Sequence, residues 1–287
     1  MPYYRSYDDA ALAYRALGPS RAPLVCLAGG PARDASYLGS LGGLDRDYRL
    51  VVPDSRGTGH SPPASDPDRY AFPALAQDLE YLRVHLGLER FALLAHDAGA
   101  ATAQSYAAAY PDRLSHLVLV CPEGRLQGAR GDLPDDTRDV FESRSAEPWW
   151  SDASAALREL ATAADPEETS ALLARAAPAA YARWETPQRV HAGAESGQLN
   201  PVPRAGFAQG VDDLARLAVL KNLREVSCPV LVVTGELDTV TGVRAGAAVA
   251  DSFTRGEWRR LTGVGHYPWV DDPDLFRAAV ASFLGAL

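Results

Sequence analysis

The chain has 287 residues, and its 28 Lys and Arg against 37 Asp and Glu give a formal net charge of −9. This length fits one catalytic domain with an insertion, and the acidic balance leaves no basic footprint for nucleic acid or an anionic membrane. No stretch approaches the roughly 18 uninterrupted apolar residues of a membrane span, and the N-terminus lacks the apolar core of a signal peptide. We therefore expect a cytoplasmic protein with a small-molecule substrate and with no nucleic-acid or membrane partner, while its oligomeric state stays open.

Short runs rich in Val and Leu alternate with longer segments of helical period, which predicts an α/β fold with a mostly parallel sheet covered by helices. Strands are expected at residues 24–27, 48–52, 91–94, 117–120, 230–233 and 258–261. Helices are expected at about 73–87, 99–110 and 273–285.

The strand signal stops at Pro122 and returns near Arg224, and the residues between them form alanine-rich, proline-punctuated helical segments. Such an insertion between two strands predicts a helical cap, or lid, at 123–224 over a core made of 1–122 and 225–287.

The turn at residues 95–99, which reads AHDAG, follows the apolar run 91–94 and precedes a helix-like segment. Small residues on both sides of a nucleophile are typical of the nucleophile elbow, a strained strand-to-helix turn, and Asp97 stands where serine is usual. An aspartate attacks saturated, electrophilic carbon and forms an alkyl ester. The alternative is an aspartate that caps a helix without a catalytic role.

Two further side chains follow in the order expected of a catalytic triad. Asp238 lies in the loop after the strand at 230–233, and His266 follows a glycine-rich turn after the last predicted strand. Glu236 is a competing acid on the same loop, but Asp238 is preferred because it lies farther past the strand. The other histidines are expected to be surface or structural residues, namely His60, His85, His96, His116 and His191.

Two glycine-rich turns follow the first predicted strands. Residues 28–31 read AGGP, and consecutive glycines let backbone N–H groups point at a developing oxyanion, so Gly30 and Ala98 are the expected donors. A plain strand-end turn is the alternative. Residues 54–62 read DSRGTGHSP and lack the spacing of a phosphate-binding loop.

Cys26, Cys121 and Cys228 are far apart and predict buried reduced thiols, and no residue cluster suggests a metal or an organic cofactor.

Together these motifs resemble the α/β-hydrolase superfamily over essentially the whole chain outside the cap. The aspartate elbow preceded by histidine looks like epoxide hydrolases and haloalkane dehalogenases. The broader sequence is similar to proline iminopeptidases in residues 29–31 (GGP), in 54–59 (DSRGTG) and in Trp184-Glu185. In that family, a cap glutamate binds the substrate amino terminus. Those peptidases use serine at the elbow, which implies altered chemistry here.

The resemblance implies an Asp97–His266–Asp238 triad that works through a covalent alkyl ester. Dehalogenases typically hold the halide with a tryptophan after the nucleophile, and Ala98 has no such donor, so epoxide hydrolysis to a vicinal diol is expected, with a natural-product intermediate as one substrate class. The epoxide oxygen would need a donor such as those of the cap. Candidate substrate-binding residues, each of which could instead serve packing or solvation, are Trp149, Trp150, Tyr181, Trp184, Glu185 and Tyr267.

Three alternatives stay open. The first is a proline iminopeptidase-like hydrolase. The second is a lyase or cyclase in which Asp97 acts as a base and forms no covalent adduct. The third is a receptor without catalysis, although a pure binding pocket has no need of the His266–Asp238 pair.

Overall fold

The computed structural model of the chain describes residues 1–19, 22–128 and 136–286. One eight-stranded sheet, in the order β1-β2-β4-β3-β5-β6-β7-β8, runs through the molecule. Its strands are β1 (Tyr3–Arg5), β2 (Ala11–Leu17), β3 (Pro23–Leu27), β4 (Arg49–Pro53), β5 (Phe91–His96), β6 (Leu114–Val120), β7 (Val230–Gly235) and β8 (Gly256–Leu261). Two described strand pairs, β1–β2 and β2–β4, are antiparallel, and the other five are parallel, so the predicted fold class is confirmed.

Helices cover the sheet on both sides. They are α1 (Phe72–His85), α2 (Gly99–Ala109), α3 (Thr137–Ser143), α4 (Trp150–Leu160), α5 (Pro166–Ala176), α6 (Thr186–Gly193), α7 (Glu195–Gln198), α8 (Pro201–Gly206), α9 (Asp213–Leu223), α10 (Arg244–Asp251), α11 (Pro268–Asp271) and α12 (Pro273–Leu284). Shorter 3₁₀ turns occupy Ala35–Leu38, Leu44–Arg46, Pro67–Tyr70 and Ala177–Ala180. The three predicted helices correspond to α1, α2 and α12. Within the described residues, no helix has both the length and the apolar character that a membrane crossing requires.

The central strands are buried on both faces, as their continuous apolar sequences require. In β3, Leu24 and Cys26 join the hydrophobic cluster on one side of the sheet, and Val25 and Leu27 join the cluster on the other side. This alternation follows from the two-residue period of a strand. Cys26 and the other two cysteines are buried free thiols, as expected.

Between β6 and β7, the described chain contains helices and 3₁₀ turns but no strand. The last of these helices, α9, packs against α2 of the core, and its residue Leu223 belongs to the main hydrophobic cluster. The cap boundaries at 123 and 224 stay a prediction of the sequence. The loops after β3, β5, β7 and β8 all leave the carboxyl edge of the sheet, which is where open parallel sheets bind ligands.

Candidate active site

Asp97 occupies the sharp turn between β5 and α2. Its φ of 51° lies in the left-handed region, and its side chain is buried, with 6 % exposed. A non-glycine residue in this region is uncommon and marks local backbone strain. The turn also fits closely under the loop after β3, because a Cβ atom on Gly99 would lie 2.5 Å from the Ala28 carbonyl oxygen. The small residues that predicted an elbow therefore stand where the backbone approaches most closely.

The two consecutive amides of the glycine pair point at different partners. The Gly30 N–H donates to Asp97 Oδ2 at 2.7 Å, whereas the Gly29 N–H donates to the Tyr37 hydroxyl at 2.8 Å. Gly30 is therefore the amide of this pair that faces the carboxylate. The second expected donor, Ala98, immediately precedes α2, where backbone N–H groups lack partners within the helix.

His266 and Asp238 form a buried pair. The Nδ1 atom of His266 lies 3.1 Å and 3.2 Å from the two Asp238 carboxylate oxygens. Asp238 also accepts hydrogen bonds from the backbone N–H groups of Val240 and Thr241 and from the Thr241 hydroxyl. Because a carboxylate only accepts, His266 Nδ1 carries the proton and Nε2 stays available as a base.

The electrostatics of the pair stabilise the imidazolium that forms when His266 takes a proton. Burial works against a charged imidazole, but the Asp238 charge and its hydrogen bond outweigh burial and raise the pKa of His266. Burial likewise opposes the Asp238 carboxylate, while His266 and Thr241 lower its pKa below the usual value. The Asp97 charge adds to the rise at His266, so the two residues are electrostatically coupled across the site.

Glu236, the competing acid, has other partners. Its carboxylate accepts a hydrogen bond from the Gly263 N–H at 3.1 Å and lies 3.8 Å from the Arg260 guanidinium. It is also partly exposed, unlike the fully buried Asp238. The geometry therefore favours Asp238 as the partner of His266.

Cys121, which follows β6, lies beside this pair. The ligand atoms of Cys121, Asp238 and His266 are within 4.8 Å of one another, which makes them a set that could hold a metal ion. The donors fit that role poorly, because the Asp238 oxygens already accept several hydrogen bonds. Burial and the nearby Asp238 charge also raise the pKa of the Cys121 thiol well above its usual value, and a metal would need the thiolate. The set is better explained as hydrogen-bonded packing behind His266.

One predicted substrate-binding aromatic, Tyr267, lies next to His266, and two others pack in sequence behind it. The ring of Tyr267 is 4.8 Å from the His266 ring, and Tyr181 stacks on Tyr267 at 5.0 Å. Trp184 packs on Tyr181 in turn, at 5.7 Å. These residues form an aromatic wall from His266 toward the cap.

The remaining candidates have contacts inside the cap. Trp150 donates its indole N–H to the Phe141 carbonyl oxygen, and Trp149 packs on Phe141 and on the Arg144 guanidinium. Glu185 is exposed and caps α6 through reciprocal hydrogen bonds with Gln188. These contacts are those of cap packing and helix capping.

Sequence reasoning gave no site role to four residues around the site, of which Arg33, Tyr37 and His96 are buried and His191 is half-buried. Arg33, 2 % exposed, donates to Tyr267, Gln198, Glu195 and the His191 carbonyl. Tyr37, His96 and His191 complete a hydrogen-bonded layer behind it. One signal was available for His96, which directly precedes Asp97. The other three are brought to the site by long-range packing.

The comparison with known proteins decides the family. The sequence profile described as alpha/beta hydrolase fold matches residues 22–273. The chain belongs to this family. Among its relatives, the monoacylglycerol lipase ABHD6 of Homo sapiens is 25% identical over 296 residues, which cover 99% of this chain and 82% of the lipase.

Solved structures share the fold over nearly the whole chain. An esterase, RhEst1 from Rhodococcus sp. ECU1013, superposes with a TM-score of 0.69 at 24% identity, covering 99% of this chain and 98% of the esterase. The enol-lactonase from Burkholderia xenovorans LB400 gives a TM-score of 0.68 at 21% identity and covers 99% of both chains. The chain is thus a hydrolase of the α/β fold.

Proposed function

We propose that this hydrolase opens epoxides through an ester of Asp97 and releases a vicinal diol. The observation that carries the proposal is the hydrogen bond from Gly30 N–H to Asp97 Oδ2, 2.7 Å long, at a strained turn. One carboxylate oxygen thus already accepts a hydrogen bond from a backbone N–H group that could hold an oxyanion, and the other is left to attack. The His266–Asp238 pair supplies the base for the second step.

The first step forms the ester. Asp97 Oδ1 attacks an epoxide carbon, the carbon–oxygen bond of the ring breaks, and the ring oxygen takes a proton from a nearby acid. Tyr267 is the phenol best suited to this role, because its oxygen accepts from Arg33 at 3.1 Å and its own proton remains to be donated. Burial raises the pKa of Tyr267 well above its usual value, so the phenol stays protonated at neutral pH.

Tyr181 is less suited to protonate the ring oxygen. His191 Nε2 faces the Tyr37 carbonyl oxygen at 3.0 Å, and a carbonyl can only accept, so this nitrogen carries the histidine proton. His191 Nδ1 is then an acceptor, and the Tyr181 hydroxyl, 2.7 Å away, donates to it. The proton of Tyr181 is therefore already engaged.

The second step hydrolyses the ester. His266 Nε2 takes a proton from water, whose oxygen adds to Asp97 Cγ, and the charge on Oδ2 is held by the N–H groups of Gly30 and Ala98. The intermediate collapses, the bond from Cγ to Oδ1 breaks, and Oδ1 takes the proton from His266 Nε2 and leaves as a hydroxyl of the diol. The second proton of the water, now on the Asp97 carboxyl, returns to the Tyr267 phenolate. The relatives named above as lipase, esterase and enol-lactonase support this step, because their names denote hydrolysis of esters. Here the ester is one that the protein forms itself.

The experiment is a single turnover in heavy-oxygen water with enzyme in excess over a terminal epoxide. The mechanism predicts that the heavy oxygen enters the Asp97 peptide and that the first diol released carries none. Asp97→Asn should lower kcat by about four orders of magnitude or more, because an amide is a poor nucleophile. Label in the diol alone would contradict the ester, because it would mean that water attacks the epoxide directly and that Asp97 acts only as a base.

A further inference from the structure

His96 lies at the centre of the residues that the proposed mechanism uses. Its ring is buried, 1 % exposed, and is centred 4.6 Å from the His266 ring. His96 directly precedes Asp97 in the chain, but its two ring nitrogens contact other residues. Nδ1 lies 2.8 Å from the Tyr37 hydroxyl, and Nε2 lies 3.0 Å from the His266 carbonyl oxygen.

The direction of each hydrogen bond follows from what the partners can do. The His266 carbonyl only accepts, so His96 Nε2 carries the proton and donates it. With its single proton on Nε2, neutral His96 offers Nδ1 as an acceptor, and the Tyr37 hydroxyl donates to it. The Tyr37 oxygen in turn accepts from the Gly29 N–H at 2.8 Å. The chain of hydrogen bonds therefore has one possible direction.

His96 is held neutral by its surroundings. Burial is the first cause that lowers its pKa well below the usual value, and the adjacent His266 adds to this effect. A charged His96 would have no acceptor for the Tyr37 proton and would place a second cation beside His266. A neutral ring also leaves His266 free to take the proton of water.

We propose that His96 and Tyr37 are positioning residues that fix the oxyanion loop and His266 relative to Asp97. Tyr37 holds the Gly29 amide and so aims the next amide, that of Gly30, at the Asp97 carboxylate. His96 donates to the backbone carbonyl of His266 and so keeps the His266 imidazole within hydrogen-bonding distance of Asp238. The kinetic half of this inference rests on the proposed ester mechanism, and its structural half does not.

The test compares two variants that each keep half of the His96 contacts. His96→Gln places an amide N–H near the position of Nε2 and keeps the donor to His266, whereas His96→Asn places its amide near Nδ1 and loses that donor. The matched control is His116→Asn, because His116 lies in β6 near its amino end, away from the edge that carries Asp97. Intact-protein mass after mixing with a terminal epoxide follows ester formation and ester hydrolysis separately.

We expect His96→Asn to slow ester hydrolysis by about tenfold or more and to change ester formation by less than about threefold, since a misplaced base has large kinetic effects. His96→Gln keeps the donor to His266, so it should hydrolyse the ester at least about threefold faster than His96→Asn. The loss of the Tyr37 acceptor should slow its ester formation by about threefold or more, and His116→Asn should match the wild type in both steps. Equal slowing of both steps in the two His96 variants would overturn the positioning role.

A second measurement does not depend on turnover. Ring nitrogen chemical shifts in histidine-labelled protein should show His96 as the neutral Nε2–H form at pH 7, and the pKa of His266 should fall in His96→Asn but not in His116→Asn. A His96 proton on Nδ1, or an unchanged His266 pKa, would overturn the inference even if the wild type forms an ester. If the wild type forms no ester while these shifts appear as expected, the proposed function fails and the positioning of His266 stands.

Discussion

At the scale of single residues, one side chain decides which chemistry is open to this hydrolase. Asp97 has the positive φ and the crowded surroundings of an elbow nucleophile. A carboxylate that attacked an amide carbonyl would give an anhydride, which is too reactive an intermediate for a bond as inert as an amide. A carboxylate that attacks an epoxide carbon gives a simple ester, and an ester can be hydrolysed by the His266–Asp238 pair.

Tyr267 and Tyr181 give a matched test of which phenol protonates the epoxide oxygen. Tyr267→Phe should slow ester formation by about 10²-fold, because the ring oxygen would leave as an alkoxide without a proton donor. Tyr181→Phe removes a proton that His191 already accepts and should slow ester formation by less than about fivefold. Rapid-quench mass measurement of the ester distinguishes the two. If Tyr181→Phe slowed ester formation more than Tyr267→Phe, Tyr181 would be the acid instead of Tyr267.

At the scale of elements, the site depends on how closely the loop after β3 approaches the turn after β5. A Cβ atom on Gly29 would lie 2.7 Å from both Cβ and Oδ2 of Asp97. Real Cβ atoms do not come so near, so any side chain at this position pushes the oxyanion loop away from the carboxylate. The glycine pair thus brings Gly30 within hydrogen-bonding distance of Asp97.

Gly29→Ala should separate these two elements. We expect a loss of about 1–3 kcal/mol in the free energy of unfolding, from overpacking, and a loss of about 10²-fold in the rate of ester formation. Urea unfolding and the same mass measurement give the two values. Gly193→Ala is the control, because a Cβ atom on Gly193 would meet no heavy atom within 4 Å beyond its chain neighbours and the adjacent backbone of its own helix. Wild-type ester formation in Gly29→Ala would show that the close approach is not needed.

The elements that carry local patterns could be predicted from the sequence, and those that depend on distant partners could not. Strands β3 to β7 each contain a run of buried apolar residues rich in Val and Leu, whereas β2 is rich in alanine and buried only in part, and it was missed, as was the short strand β1. The turn around Asp97 was predicted from the small residues that flank it, and the pairing of His266 with Asp238 was predicted from chain order. The His96 contacts span 59 and 170 residues, so no local pattern contains them.

In the whole molecule, hydrogen bonds beside the site connect the helical segment between β6 and β7 to the core. Core residue Arg33 donates to Gln198 and to Glu195, and the Arg33 side chain also packs over the Tyr37 ring at 4.4 Å. His191 of α6 donates to the Tyr37 carbonyl at 3.0 Å. The stability of this connection should therefore depend on the charge of His191.

Burial, followed by the nearby Arg33 charge, lowers the pKa of His191 to about 4. The unfolded chain binds this proton at pH values near 6.5, so the contribution is fully present above about pH 6.5 and is lost as the pH falls toward 4. The wild type should lose about 1–3 kcal/mol more than His191→Gln over this range, measured by urea unfolding at several pH values. The opposite contribution of His266, whose pKa is raised, is present in both proteins and cancels in the difference. If the free energy of unfolding changed with pH by the same amount in the wild type and in His191→Gln, His191 would not be held neutral in the folded protein.

Whether Asp97 becomes esterified can be measured from the intact mass of His266→Gln after incubation with a panel of epoxides. Without the His266 imidazole as base, the ester should form and persist. We therefore expect a mass increase equal to one substrate molecule, located on the Asp97 peptide. The double variant Asp97→Asn/His266→Gln should show no increase. An unmodified His266→Gln protein, under conditions in which the wild type turns the same epoxide over, would contradict the account.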